Sequence, residues 1–185
     1  MMLDDLDRTL RAVIGALVTD LPADHLHFEP PDADFTPVVP AVNLFLYDVR
    51  ENRQLRSNDW DLDRPGNGQV TRRRAPRRVD CSYLITAWAG DPLSEHLLLG
   101  RVLRALLGSP VIAGDAPQGE LAGQQLPTSL LQPTLLQGIG EFWQAMGNKP
   151  RAAVHLTVTV AIDTATPSTV PEVREPTIRI VSKEP

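Results

Sequence analysis

The stretch AVNLFLYDV, Ala41 to Val49, decides how this chain is read. Apolar residues fall on both parities: Val42, Leu44 and Leu46 against Phe45, Tyr47 and Val49. A strand apolar on both faces is covered on both, so it belongs inside a sheet. A second strong strand is VDCSYLITAWA, Val79 to Ala89, and a third is AAVHLTVTVAI, Ala152 to Ile162, which is β-branched and alternates polar with apolar. The first two read as antiparallel partners with a long connection, Arg50 to Arg78. That connection holds a turn cluster at Pro65, Gly66, Asn67 and Gly68.

Working outward, Leu3, Leu6, Leu10, Val13, Ile14, Leu17 and Leu21 recur at helical spacing, with Asp4, Asp5 and Asp7 at the positive end and Pro22 as the stop. His25 to Phe28 alternates like a short edge strand. Asp91-Pro92 starts a second helix that runs to about Leu107, with Leu93, Leu97, Val102, Leu103, Leu106 and Leu107 apolar and Gly108 at its end. Short strands are expected at Pro110 to Ala113 and Thr128 to Leu131. A third helix is expected from Leu135 to Met146, with Ile139, Phe142, Trp143 and Met146 on one face. Residues 163–176, rich in Thr, Pro, Ser and Glu, read as a semi-extended linker without packing. A short alternating strand, Thr177 to Val181, follows it. The domain reading is therefore residues 1–162 as one domain, with a long basic loop over 50–78, and 163–185 as an arm.

Composition narrows the function. At 185 residues, 42% hydrophobic and 22% charged, the chain has a globular profile. A net charge of -5 gives no global reason to expect nucleic acid or an anionic membrane. The start, MMLDDLDRTL, lacks the basic head and unbroken apolar core of a signal peptide, and no run of about 18 apolar residues occurs. Cys81 is alone, so no intrachain disulfide forms, which fits a reducing cytoplasm.

Little in the residues points to catalysis. Gly138 and Gly140 are a fragment of a phosphate loop without a following lysine, and read as helix-packing glycines. His25 and His27 share one strand face, but two ligands are too few for a metal. His96 and His155 read as partly buried structural residues. Cys81 sits in an apolar strand, where thiols are inert. No G-x-S-x-G and no carboxylate pair stands out, so no catalytic residue, metal or cofactor is assigned.

Two features remain. Between Arg50 and Arg78 lie nine arginines and four acids, a local charge of +5 on an acidic protein. Arg53, Arg56, Arg72, Arg73, Arg74, Arg77 and Arg78 are candidates for docking on acidic partner surfaces, where arginine is the favoured interface cation. A solvated hairpin is the plain alternative. Nucleic-acid binding is the third, with only Trp60 nearby to stack. In the tail, Ile178, Arg179 and Ile180 suit β-augmentation of another chain's sheet, or a strand folding back on its own.

Specific segments carry a family resemblance: Asn43 to Tyr47 with Glu51-Asn52; Tyr83 to Trp88 followed by Glu95, Leu98, Leu99 and Gly100; and Trp143 to Arg151 running into the last strand. Residues 3 to 162 resemble the cap-protein N-terminal domain of extracellular contractile injection systems, of the antifeeding-prophage and Photorhabdus virulence cassette type. The resemblance implies an α/β (α+β) fold similar to phage tail terminators, with a central mixed, largely antiparallel sheet and flanking helices. It further implies a six-membered homo-oligomeric ring with the inner tube protein and the sheath protein as partners, ending the tube and anchoring the last sheath layer. No nucleic acid, membrane or active site is implied. A terminator of a contractile phage tail is the near alternative; a small-molecule enzyme or a nucleic-acid-binding module are alternatives of another class.

Overall fold

The computed structural model describes residues 2–64, 69–131 and 138–171. In chain order they form helix α1 (Met2–Leu17), a 3-10 turn (Ala23–His25), strands β1 (Leu26–His27), β2 (Ala41–Glu51), β3 (Trp60–Asp63), β4 (Gln69–Arg74) and β5 (Arg77–Trp88), and helix α2 (Pro92–Leu107). Then follow β6 (Val111–Ile112), a 3-10 turn (Gly119–Leu121), β7 (Leu126–Leu130), α3 (Ile139–Ala145), β8 (Ala153–Ile162) and β9 (Ser168–Pro171). Two compact units result. The larger holds the residues up to Leu55 and Arg78–Ala161; the smaller holds Arg56–Arg77 and the described residues from Ile162 on.

The larger unit is built on a six-stranded sheet in the order β1-β2-β5-β8-β7-β6. β1 runs parallel to β2, while β2–β5, β7–β8 and β6–β7 are antiparallel, so the sheet is mixed and largely antiparallel. β5 lies between β2 and β8 and is buried at every position from Cys81 to Trp88, as apolar side chains on both parities require. β2 meets the same expectation only over Ala41–Leu44. Its later residues grow exposed, and Val49 stands open. The reason is its neighbour: β1 pairs with β2 only at Val42 and Asn43.

Helices cover both sheet faces. Tyr83 Oη donates to Asp7 of α1 at 2.8 Å, so α1 lies over the face that carries Tyr83, Ile85, Leu44 and Leu46. Phe142 of α3 lies 6.3 Å from Phe45, whose side chain points to the opposite face. α1 buries Leu6, Leu10 and Ile14 completely. It stops at Leu17, short of the Pro22 stop, because Leu21 N–H turns back onto the Val18 carbonyl at 3.0 Å. Asp91 caps α2 by accepting from Ser94 N at 3.1 Å, with Pro92 in the first turn. α2 buries Leu98, Leu99, Val102 and Leu106, whereas the apolar Leu93, Leu97 and Leu107 face outward.

Two loops are anchored through buried polar groups. The Asp5 carboxylate, itself buried, accepts from Glu120 N at 3.0 Å and pairs with Arg8. Gly119 makes this possible. Its φ is +58°, and a Cβ there would sit 2.0 Å from Asp5 Oδ1. The Arg151 guanidinium donates to Glu95 of α2 at 2.6 Å and to the Ala87 carbonyl at 3.1 Å, and lies 3.6 Å over the Trp88 ring. It ties the entry to β8 onto β5 and α2.

Gly138 serves α3 by a φ of +77° just before the helix, not by packing, and Gly140 has open space beside it, so neither is a packing glycine. The expected start of this helix, before Gly138, lies outside the described residues.

In the smaller unit the structure differs from the sequence reading. The basic stretch contains a hairpin, β3–β4, and the presumed unpacked linker supplies β9, giving a three-stranded sheet in the order β3-β4-β9. Thr169 and Val170 pair with Thr71 and Val70. A segment rich in Thr and Val needs only an edge to pair with, and β4 offers one nearly a hundred residues upstream.

Candidate partner interface

Strand alternation sorts the smaller sheet into two unlike faces. β3 reads Trp60-Asp61-Leu62-Asp63, and β4 pairs Trp60 with Arg74, Asp61 with Arg73, Leu62 with Arg72 and Asp63 with Thr71. Directly paired residues share a face. One face therefore carries Trp60, Leu62, Val70, Arg72 and Arg74, next to Ser168 and Val170 of β9, with Val70 buried and the arginines exposed; Asp61, Asp63 and Arg73 lie on the other. Arg73 is balanced there, opposite Asp61 and 3.3 Å from Asp163.

The first face has two cations and no acid. Arg72 and Arg74 each place the guanidinium 5.1 Å from the centre of the Trp60 ring. Each such stack on an exposed ring contributes about 0.5–1 kcal/mol. Trp60 and Leu62 remain 45% and 47% exposed. Aromatic and arginine side chains held together on an open sheet face are the residue types that dominate protein interfaces.

The other sequence candidates lie elsewhere. Arg53 is exposed beside a turn in which Asn52 Oδ1 accepts from Gln54 N and Leu55 N. Arg56 is exposed, and Arg77 and Arg78 are half-buried at the start of β5, with the Arg78 carbonyl accepting from Asn52 N at 2.9 Å. Arg50 is bound to Asp48 at 2.6 Å. Ile178, Arg179 and Ile180, the expected strand at 177–181 and the Pro65 to Gly68 turn fall outside the described residues. The basic stretch is thus no single patch. The structure unites Arg72 with Arg74 and separates Arg73 from both. Trp60, at the corner of this face where β3 begins, was named in sequence only as a lone stacking aromatic. Its signal was the alternation Trp-Asp-Leu-Asp facing a run of arginines across a turn.

The groups considered for chemistry are placed as structural parts. Cys81 is buried, and burial, helped by the charges of Asp80, Asp7 and Asp48, pushes its thiol up to about 12. The thiol is therefore protonated at neutral pH. His155 is half-buried, which lowers its pKa, and its Nδ1 lies 3.3 Å from Tyr47 Oη. His25 and His27 do not share a strand face: His25 closes the 3-10 turn, with Nδ1 2.7 Å from the Pro40 carbonyl, and only His27 lies in β1. His96 is exposed on α2, contrary to its reading as partly buried. Among the described residues no three His, Cys, Asp or Glu side chains gather as a metal set, and no helix is long and apolar enough to cross a membrane.

Comparison with known proteins follows this geometry. A solved sheath/tube terminator of an extracellular contractile injection system (PVC), in its extended state, is 25% identical to this chain, with a TM-score of 0.74 over 100% of this chain and 65% of its own. The tube-terminating cap of the anti-feeding prophage is 24% identical, with a TM-score of 0.65 over 97% of this chain and 62% of its own, and shares the fold. The chain thus spans less than two thirds of the length of either. A search of curated proteins finds no match. The family model described as the Pvc16 N-terminal domain matches residues 5–175, and the chain belongs to that family.

Proposed function

We propose that this chain is a structural cap of a contractile injection particle. It closes into a six-membered ring that ends the inner tube and anchors the last sheath layer. It performs no catalysis. Its partners are further copies of itself, the tube protein and the sheath protein, and it assembles in the cytoplasm before joining the particle. The observation that carries this reading is the likeness along the whole chain to a sheath/tube terminator. The chemistry of the chain agrees. Its thiol is held protonated and its half-buried histidine is biased to the neutral form, while its open side chains are of interface type. Arg53, Arg56, Arg72, Arg73, Arg74, Arg77 and Arg78, and Ile178, Arg179 and Ile180 in the tail, are assigned to partner contacts. Capping is then steric: the ring occupies the rim where the next tube or sheath layer would add. A ring of this kind uses head-to-tail contacts that close on themselves.

Negative-stain microscopy of the purified protein tests the ring, with closed rings of uniform diameter expected. Particles assembled without the protein are expected to vary widely in tube and sheath length. Particles of unchanged, uniform length in its absence would overturn the capping role.

A further inference from the structure

β3 has one open margin. It pairs with β4, and among the described residues no strand lies along its other side. All four of its residues are exposed. Ala75 N–H donates to the Asp59 carbonyl at 3.2 Å, and antiparallel pairs alternate. Asp61 and Asp63 therefore turn their peptide groups toward β4, while Trp60 and Leu62 turn theirs outward. The side chains alternate as well, Trp60 and Leu62 on one face and Asp61 and Asp63 on the other. On the acidic face a hollow of about 430 Å³ is lined by Asp61, Leu62, Asp63, Thr71, Arg73 and Pro167. Arg73 is already bound to Asp163, so acids outnumber it there. A strand that fits this margin reads apolar, basic, apolar. The chain holds that pattern outside the described residues, in Thr177-Ile178-Arg179-Ile180-Val181.

We propose that the segment Thr177–Val181 of one copy adds to the open margin of β3 in the next copy. It runs antiparallel to β3, with Ile178 opposite Leu62, Arg179 opposite Asp61 and Ile180 opposite Trp60. The outward peptide groups of Trp60 and Leu62 then bond the incoming backbone. An isoleucine beside Trp60 and an arginine beside two aspartates are pairings that stabilise neighbouring strands. This names a contact within the ring reading and rests on it. A tail folding back on its own chain would lie beside β9, which it follows in sequence. Ser168–Pro171 offers it no carboxylate, and β4 separates β9 from β3. On the open margin of β2, the acid Asp48 is already clasped by Arg50. A tail passed onward from copy to copy joins two unlike surfaces, as a closing head-to-tail contact requires.

Disulfide trapping tests the pairing. Asp61 and Arg179 form a non-hydrogen-bonded pair in this register, with Cα atoms about 4.5 Å apart, within reach of a disulfide. The variant carrying Asp61→Cys and Arg179→Cys, checked by circular dichroism for the parent's spectrum, is oxidised mildly and run on a non-reducing gel. Cys81 is buried and stays out of the reaction. A ladder running beyond the dimer is expected, while neither single variant passes the dimer. A disulfide closed within one chain, seen as a faster monomer band, overturns the proposal in favour of a tail folded on its own sheet. A ladder that stops at the dimer means reciprocal exchange and overturns the head-to-tail contact. No crosslink, with the parent assembling in sedimentation velocity, overturns the pairing and leaves the ring standing. A parent that stays monomeric at every concentration overturns the ring reading, and this inference with it. Arg179→Asp is expected to weaken association at least about tenfold, since like charges then face each other, while Arg179→Lys stays within about threefold. Association of Arg179→Asp at parental strength overturns the pairing.

Discussion

At the residue scale, Asp5 and Asp7 sit two positions apart on α1 and respond to pH in opposite senses. The Glu120 amide and then Arg8 hold Asp5 below the usual carboxylate range. Its contribution is present above the ordinary value and is lost as pH falls through the depressed one. Burial raises Asp7, only partly offset by the hydrogen bond from Tyr83. The folded chain therefore binds that proton more readily than the unfolded chain. Stability from this group is lost as pH rises from about 4 through the raised value. Asp7→Asn keeps an acceptor for Tyr83 and removes the buried charge. Its urea midpoint is expected to lie above the parent's at neutral pH, and the gap is expected to close as both are taken toward pH 4. At Gly119 any side chain strikes the Asp5 carboxylate in a left-handed backbone. Gly119→Ala is expected to lose about 1–3 kcal/mol in urea unfolding. Neither dependence could be read from the sequence, because Gly119 and Asp5 are over a hundred positions apart and only the fold brings them together.

Elements differ in how much of them was visible beforehand. β5 and the first half of β2 were legible because burial on both faces forces apolar residues onto both parities, and β8 because its β-branched residues alternate with polar ones. α2 was legible through Asp91, Pro92 and Gly108, which act locally. β4 and β9 were not. In QVTRRR the charges mask a strand whose pairing is supplied from far along the chain, and STVP resembles a linker until β4 gives it an edge. For the same reason the arginines could be named as interface candidates while their division between two faces could not be read, since alternation has meaning only once a strand is known. Energetically, α3 hangs on Trp143, which is 1% exposed. Trp143→Ala is expected to cost about 3–5 kcal/mol by chemical denaturation. Arg151 fastens β8 to α2 and β5 by two hydrogen bonds and a ring contact. Arg151→Ala is expected to cost about 2–3 kcal/mol, and Arg151→Lys to regain only part of it: a single guanidinium nitrogen, Nη1, makes both hydrogen bonds, which an ammonium can imitate, but lysine lacks the flat group that lies over the Trp88 ring.

For the whole molecule, the proposed docking of its arginines on acidic partner surfaces makes assembly depend on ionic strength. Self-association is expected to weaken about tenfold between about 0.05 M and about 0.5 M salt, measured by sedimentation velocity, while the unfolding midpoint of the single chain changes far less. The short reach of β1 has a separate consequence. Past Asn43, β1 no longer covers the outer margin of β2, and peptide groups there are open to capture by a stranger's backbone. The chain guards that margin in two ways. An irregular step in register between Leu46 and Asp48 warps the strand, and an Asp48–Arg50 clasp lays charge along it. Replacing Asp48 and Arg50 by valine is expected to make the folded protein precipitate amorphously, visible by light scattering.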